Sequence, residues 1–188
     1  MSAGLARNWW MIGLRGVAAV AFGLIVLALP SSTMASLVLL FAAYVVADGL
    51  FAIFAGARAA HQVERWWTLM LEGVINLTMA GAVLVWAALA VVPLVHLASA
   101  WALVTGGLML PAAQRLSVAH GRWLLAFGGG VSGAWGVLAA AGGPSAGDLR
   151  TVELWLIAYA LLFGVALLAV ASRLRRRHRE PGQEQRSA

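Results

Sequence analysis

The sequence contains no cysteine and no lysine, and only 11% of its 188 residues are charged. Without cysteine the chain can form no disulfide, no thiolate nucleophile and no cysteine-ligated metal site. Soluble domains carry about 25% charged residues, so this chain has too few to cover a water-facing surface. The scarcity of charge excludes a soluble globular domain and predicts an integral membrane protein.

Long apolar segments make up most of the chain, since 62% of the residues are hydrophobic. At 1.5 Å per residue, each of six segments can cross the roughly 30 Å hydrocarbon core as a helix, and the period-two alternation of a barrel is absent. We therefore predict an all-α polytopic membrane protein with about six transmembrane helices. Its predicted parts are a cytoplasmic N-terminus (1–8), a membrane domain (9–172) and a basic, disordered cytoplasmic tail (173–188). The six segments are 9–29, 34–56, 67–89, 93–113, 123–141 and 152–172.

An internal repeat of about 57 residues relates the six segments in pairs, one helical hairpin to each unit. An even number of helices per unit gives all units the same orientation, so we predict three parallel helical-hairpin repeats at about 9–66, 67–122 and 123–172. Each unit also closes on an arginine. The aligned triplets are Trp10, Trp67 and Trp123; Gly16, Gly73 and Gly129; Tyr44, Trp101 and Tyr159; Gly49, Gly106 and Gly164; and Arg58, Arg115 and Arg173.

Arginine is distributed unevenly between the two sides of these segments. Eleven of the 13 arginines lie in the N-terminus, two alternate loops and the C-terminal tail, whereas the opposite loops hold only Arg150. The positive-inside rule then predicts that both termini lie in the cytoplasm. The tail is predicted to fix the topology and to bind anionic lipids, and no motif points to nucleic acid. The arginines next to the last helix are Arg173, Arg175, Arg176, Arg177 and Arg179.

Three charged side chains, Arg15, Asp48 and Glu72, lie well inside the predicted helices. A charge at a helix centre costs about 2.5–3.5 kcal/mol, so some interaction should offset it. Arg15 and Glu72 follow their aligned tryptophans by the same five residues, and Asp48 reaches a comparable depth. We predict an intramembrane charge cluster in which the forked guanidinium binds both carboxylates, with a hydrogen bond from Asn76. Gly128, the equivalent residue of the third unit, is predicted to leave room for the guanidinium.

This cluster admits three interpretations. It can be a structural clamp between helices or a relay for protons or ions. In the third interpretation, Arg15 simply extends to the cytoplasmic headgroups. The charges stop in the third unit, where Gly128 and Phe163 take their places. Since no polar path then crosses the membrane, the pattern favours the clamp.

Few other residues suggest chemistry. His96, near the non-cytoplasmic end of the fourth helix, could respond to external acid, although an interfacial position alone would account for it. Gly129 and Gly133 lie four residues apart, as do Ser132 and Gly136. Small residues at this spacing let helices pack closely, within one chain or between chains. No catalytic triad, paired aqueous carboxylates or histidine cluster is present, so we predict no enzymatic activity, no metal site and no cofactor.

Several of these residues together resemble one known family. They are Leu14-Arg15-Gly16, Pro30, the pattern Tyr44-x3-Asp48-Gly49 and the arginine that closes each unit. At a threefold period over about residues 9–175, this pattern resembles the HdeD-type acid-resistance membrane proteins. The resemblance implies a small six-helix protein of the bacterial inner membrane that is associated with acid stress, and it brings no catalytic site.

The favoured function is that of a non-enzymatic inner-membrane protein connected with acid or general stress tolerance. It would act on the lipid bilayer itself or through another membrane protein. One alternative is a small transporter or channel for protons or a solute, which needs a continuous polar path. The other is an oligomerising membrane scaffold, a homo-oligomer held together by the glycine faces.

Overall fold

The computed structural model describes residues 9–29, 33–60, 66–88, 94–114, 122–142 and 149–179. Within these ranges the chain forms six helices and no strand, which confirms the all-α prediction. The helices are α1 (Trp9–Ala28), α2 (Met34–Ala60), α3 (Trp66–Ala88), α4 (Leu94–Gln114), α5 (Arg122–Gly142) and α6 (Leu149–Arg179).

Five of the six helices are long and apolar enough to cross a membrane. The exception is α3, whose apolar stretch, Leu69–Val85, is shorter. Large apolar side chains such as Leu39, Phe54 and Val137 are more than half exposed at the bundle surface. Such a surface is stable where lipid rather than water is the solvent. The chain is a multi-pass membrane protein.

The last helix is longer than the hydropathy pattern predicts. The predicted membrane segment ends at residue 172, whereas α6 continues through Arg179. Arginine is a good helix former, so a helix can continue beyond its apolar part. The basic segment thus begins as a helix, which differs from the disorder predicted from residue 173 onward. Residues 180–188 lie outside the described part of the chain.

The six helices form a closed ring in which each packs against the helices before and after it, and α6 returns to α1. The most extensive contacts join α2 with α3, α4 with α5, and α6 with α1. The two helices of one predicted hairpin pack less extensively. Each repeat unit is therefore tied mainly to the neighbouring units, as expected for parallel repeats around an axis along the membrane normal.

Glycines at equivalent repeat positions make the three extensive contacts possible. A Cβ atom on Gly106 would lie 2.7 Å from the carbonyl oxygen of Gly129, so only a hydrogen fits there. Close backbone approach of this kind maximises dispersion between helices in lipid. Its recurrence at each of the three contacts supports the predicted repeat. The facing pairs are Gly49 with Gly73, Gly106 with Gly129, and Gly164 with Gly16.

Aromatic rings fill the middle of the bundle. Tyr44, Trp101 and Tyr159, one from each repeat unit, are all buried there. The Trp101 ring lies 5.3 Å from Tyr44 and 6.0 Å from Tyr159 between centroids, edge-on to both. Phe41 and Phe163 pack edge-on against the same indole. This geometry is favourable for aromatic pairs and leaves Trp101 as the centre of the core.

Candidate functional site: the buried charge cluster

A guanidinium and a carboxylate meet between α1 and α2. The Nε of Arg15 lies 2.6 Å from Oδ1 of Asp48, and its Nη2 lies 2.8 Å from Oδ2. Two parallel N–H groups therefore bind the two carboxylate oxygens, which is the strongest form of this ion pair. The Asp48 side chain is completely buried, and that of Arg15 is 14% exposed.

Residues of α3 and α4 extend this ion pair into a chain. Oε1 of Glu72 lies 2.6 Å from Nη2 of Arg15. One turn along α3, Asn76 donates from Nδ2 to Oδ2 of Asp48 at 2.7 Å. Its Oδ1 accepts from the indole Nε1 of Trp101 at 3.1 Å. We call these five side chains the charge cluster. They connect four helices through direct hydrogen bonds.

The electrostatics of the charge cluster depend on its hydrogen bonds. It holds one cation and two carboxylates largely out of water, and removing an ion from water costs several kcal/mol. Mutual attraction offsets that cost only where hydrogen bonds satisfy the remaining polar atoms. Asp48 accepts three such bonds, two from Arg15 and one from Asn76. The arrangement can therefore hold α1, α2, α3 and α4 together at one depth.

The third repeat unit has no charged residue at the positions equivalent to Arg15 and Asp48. A Cβ atom on Gly128 would lie 3.5 Å from the terminal methyl of Met109 and 3.7 Å from Cβ of Ala166. The prediction that Gly128 leaves room for the guanidinium is therefore wrong, because apolar side chains occupy that space. Phe163, which aligns with the aspartate, is fully buried in the aromatic core. The cluster is confined to the side of the ring formed by α1 to α4.

A second hydrogen-bonded group, which the sequence analysis missed, joins α4, α5 and α6. The Ser132 hydroxyl lies 2.8 Å from the carbonyl oxygen of Ala102 and 2.8 Å from the Tyr159 hydroxyl. In the repeat alignment Ser132 corresponds to Asn76. Both side chains bind the central aromatic residue of their own unit. The alignment was the signal that could have revealed this shared role.

The same alignment accounts for an unpartnered hydroxyl in the first unit. The Tyr44 Oη is buried and has no hydrogen-bond partner among the described residues. Ala19 stands at the position that provides the partner in the other two units. It is completely buried, and its side chain carries no polar atom. A buried polar group without a partner costs about 1–3 kcal/mol, so Tyr44 is a local weakness in the core.

Removing one hydroxyl at a time distinguishes these two tyrosines. We expect Tyr44→Phe to leave the unfolding midpoint of the detergent-solubilised protein unchanged or slightly higher, because no bond is lost. Tyr159→Phe removes the bond to Ser132 and should cost about 0.5–1.5 kcal/mol. Unfolding followed by circular dichroism measures both. Equal losses in the two variants would show that the Tyr44 hydroxyl has a partner, such as a buried water.

The predicted packing glycines face α4 of the same chain. A Cβ atom on Gly136 would lie 3.0 Å from the carbonyl oxygen of Ser99, and one on Gly129 would lie 3.1 Å from Cβ of Met109. The backbone nitrogen of Gly133 would lie 2.8 Å from a Cβ atom on Gly106. Gly129 and Gly136 are therefore covered within one chain, and packing between chains is not needed to cover them. A Cβ atom on Gly133 itself would meet nothing within 4 Å.

The remaining predicted residues lie at the two ends of the bundle. His96 is exposed in the first turn of α4, and its response to acid stays a prediction. Arg173, Arg175 and Arg176 are exposed in the last turns of α6, at what we call the arginine-rich end, where α1, α3 and α5 begin. The side chains of Arg177 and Arg179 lie outside the described part. No metal-binding group of three or more histidine or acidic side chains occurs among the described residues.

Residues 14–85 match a protein family described as a short repeat of unknown function (DUF308). The match begins one residue before Arg15 and extends beyond Asn76, so it contains every charged residue of the charge cluster. A short repeat agrees with the internal repeat of this chain. No curated protein and no solved structure matches the chain.

Proposed function

We propose that this protein is a non-enzymatic, non-conducting component of the bacterial inner membrane, in which the charge cluster is a clamp between helices. The observation that supports this most directly is the end of the hydrogen-bond chain that begins at Glu72. It ends at the indole of Trp101. An indole N–H donates a hydrogen bond but cannot accept one, whereas a proton relay needs groups that do both. The hydrogen-bond chain therefore gives a proton no further group to move to beyond α4.

The packing beyond Trp101 supports the same proposal. Phe41 and Phe163 lie 5.8 Å and 6.4 Å from the indole between ring centroids. The hydroxyls of Ser99 and Ser132 bind backbone carbonyl oxygens at 2.6 Å and 2.8 Å. Hydroxyls held in this way join helices rather than line an open path. Among the buried side-chain polar atoms of the described residues, only the Tyr44 hydroxyl has no hydrogen-bond partner.

The glycine faces offer little support for the scaffold alternative. Gly106 and Gly129 face each other inside the ring, as do Gly16 and Gly164. A face that is covered within one chain is not free to bind a second copy. An oligomer would therefore have to use another surface, such as the exposed apolar side chains that also face lipid.

The connection with acid or general stress tolerance rests on the resemblance to HdeD-type proteins. Those proteins belong to the short-repeat family that matches residues 14–85. We place both termini in the cytoplasm because of the uneven distribution of arginine. A closed bundle with an apolar surface would act through the lipids or the membrane protein that it contacts. Survival of the host in acid after deletion of the gene tests this part, and unchanged survival would contradict it.

Proton flux into liposomes tests the non-conducting part. The purified full-length protein is reconstituted with a pH-sensitive dye inside, valinomycin is added to dissipate charge, and an inward pH gradient is imposed. We expect the same rate as in protein-free liposomes, for the wild type and for Asp48→Asn. The aspartate is the most buried charge of the cluster, so its neutralisation should alter any conduction through the site.

Two controls make this result decisive. Gramicidin added at the end must collapse the gradient, which shows that the vesicles are tight and the dye responds. Thr78→Ala serves as the matched variant, because the exposed Thr78 hydroxyl bonds only to a carbonyl of its own helix. A wild-type flux that falls in Asp48→Asn and persists in Thr78→Ala would overturn the clamp and favour a transporter or channel.

A further inference from the structure

An apolar groove with a basic rim runs along the bundle surface between α1 and α6. It has a volume of about 690 Å³ and is open to the surroundings. Gly13 and Val17 of α1 and Leu168 of α6 line its apolar part, and Arg175 and Arg176 lie at its arginine-rich end. We call this feature the α1/α6 groove. Its two halves differ in chemistry, one cationic and the other apolar.

The rim is built to attract an anion. Both arginines are exposed, and no carboxylate lines the groove among the described residues. The guanidinium carbon of Arg175 lies 4.9 Å from the centroid of the Trp9 ring. This cation–π contact holds the arginine at the mouth of the groove. Tryptophan and arginine at one level are typical of the boundary between the headgroups and the acyl chains.

The repeat shows why the groove is open here. In the alignment Gly13 corresponds to Met70. At the equivalent contact between α2 and α3, the Met70 side chain packs so closely on Gly56 that a Cβ atom there would lie 3.0 Å from its Cγ. A Cβ atom on Gly13 would meet only Cβ of Ala171, at 3.6 Å. A side chain fills the space in one contact, and the glycine leaves it open in the other.

We propose that the α1/α6 groove binds an anionic phospholipid. Its phosphate lies between Arg175 and Arg176, and an acyl chain lies along Gly13, Val17 and Leu168. A lipid fits better than a soluble phosphate, because the apolar part continues from the arginines along the membrane-spanning helices, where only an acyl chain reaches. The proposal requires only that the protein lies in a membrane. It does not depend on whether the charge cluster is a clamp or on the role in stress tolerance.

Native mass spectrometry of the full-length protein in detergent tests this assignment. The protein is titrated with phosphatidylglycerol or with phosphatidylcholine that carries the same acyl chains. We expect the wild type to retain phosphatidylglycerol preferentially. The double variant Arg175→Gln/Arg176→Gln should lose phosphatidylglycerol affinity by about fivefold for each arginine, with phosphatidylcholine little changed. Gly13→Met, which copies the side chain found at Met70, should weaken both lipids without changing the charge.

Arg122→Gln is the matched control. Arg122 lies at the same end of the bundle, 5.9 Å from the centroid of the Trp123 ring, but outside the groove. Its loss should leave lipid binding unchanged. The proposal would be overturned if the wild type retained both lipids equally, if Arg122→Gln weakened phosphatidylglycerol binding as much as the double arginine variant, or if Gly13→Met had no effect. It would also be overturned if the protein retained free glycerol phosphate, or if it bound a second copy of the chain and no lipid. If the arginine variant does not fold, as judged by circular dichroism, Gly13→Met decides.

Discussion

Asp48→Ala should cost the protein about 3–5 kcal/mol of stability, the largest effect expected of any single substitution in the charge cluster. The change removes both hydrogen bonds that Asp48 accepts from Arg15 and the one that it accepts from Asn76. Arg15 remains largely buried with a single carboxylate, that of Glu72. Chemical unfolding in detergent micelles, followed by circular dichroism, measures the loss.

An ion pair with one exposed partner provides the control for this measurement. Nη1 of Arg150 lies 3.1 Å from Oε2 of Glu153; the Arg150 side chain is 72% exposed and that of Glu153 10%. We expect Arg150→Ala to cost clearly less than Asp48→Ala, about 1 kcal/mol, because the lost cation is largely exposed and contributes one hydrogen bond to Glu153. If Asp48→Ala were as mild as Arg150→Ala, the charge cluster would not be a clamp.

Removing all three charges at once separates the cost of an unpaired charge from the net contribution of the cluster. In the triple variant Arg15→Met/Asp48→Leu/Glu72→Leu no ion is left without a partner. Buried ion pairs can often be replaced by apolar residues with little loss. We expect this variant to be more stable than Asp48→Ala. A triple variant at least as unstable as the single one would mean that the shape of these side chains, rather than their charge, holds the helices.

The features that could be predicted from the sequence are those that depend on a single helix or on a single buried charge. Apolar length sets the number of helices, because every backbone polar group in lipid must be paired within its own segment. The pairing of Arg15 with Asp48 and Glu72 could be inferred because an isolated charge in lipid is costly and the repeat placed the three at similar depth. Neither inference needs knowledge of how the helices are arranged around the ring.

The features that could not be predicted depend on side-chain volumes across helix contacts. Gly128 was expected to receive the guanidinium, but Met109 and Ala166 occupy that space. The choice of closest helix pairs also depends on side chains of two different helices. Hairpin partners pack less extensively than neighbouring helices from different units. The role of Trp101 was missed because the repeat alignment shows that Trp101 and Asn76 occupy equivalent positions to Tyr159 and Ser132, but it does not show that these positions meet across the helices.

Gly106→Ala should produce the second large effect, a loss at the upper end of about 1–3 kcal/mol. The added carbon would lie 2.7 Å from the carbonyl oxygen of Gly129 and 2.8 Å from the nitrogen of Gly133. Both atoms belong to the backbone of α5, so the clash cannot be relieved by a rotation of a side chain. The helices α4 and α5 must separate, and the dispersion between them is lost along the contact. The midpoint of thermal unfolding in detergent measures the loss.

The adjacent glycine is an unusually close control. A Cβ atom on Gly107 would meet nothing within 4 Å, so Gly107→Ala should be neutral or stabilise the helix by up to about 1 kcal/mol.

If the ring is held by three equivalent contacts, Gly73→Ala should be as harmful as Gly106→Ala, because its Cβ atom would lie 2.8 Å from the carbonyl oxygen of Gly49. Gly81→Ala, with nothing within 4 Å, should again be neutral. Equal tolerance of Gly106→Ala and Gly107→Ala would mean that the backbones can move apart without loss. Sensitivity at Gly106 but not at Gly73 would mean that the charge cluster, rather than backbone contact, holds α2 and α3 together.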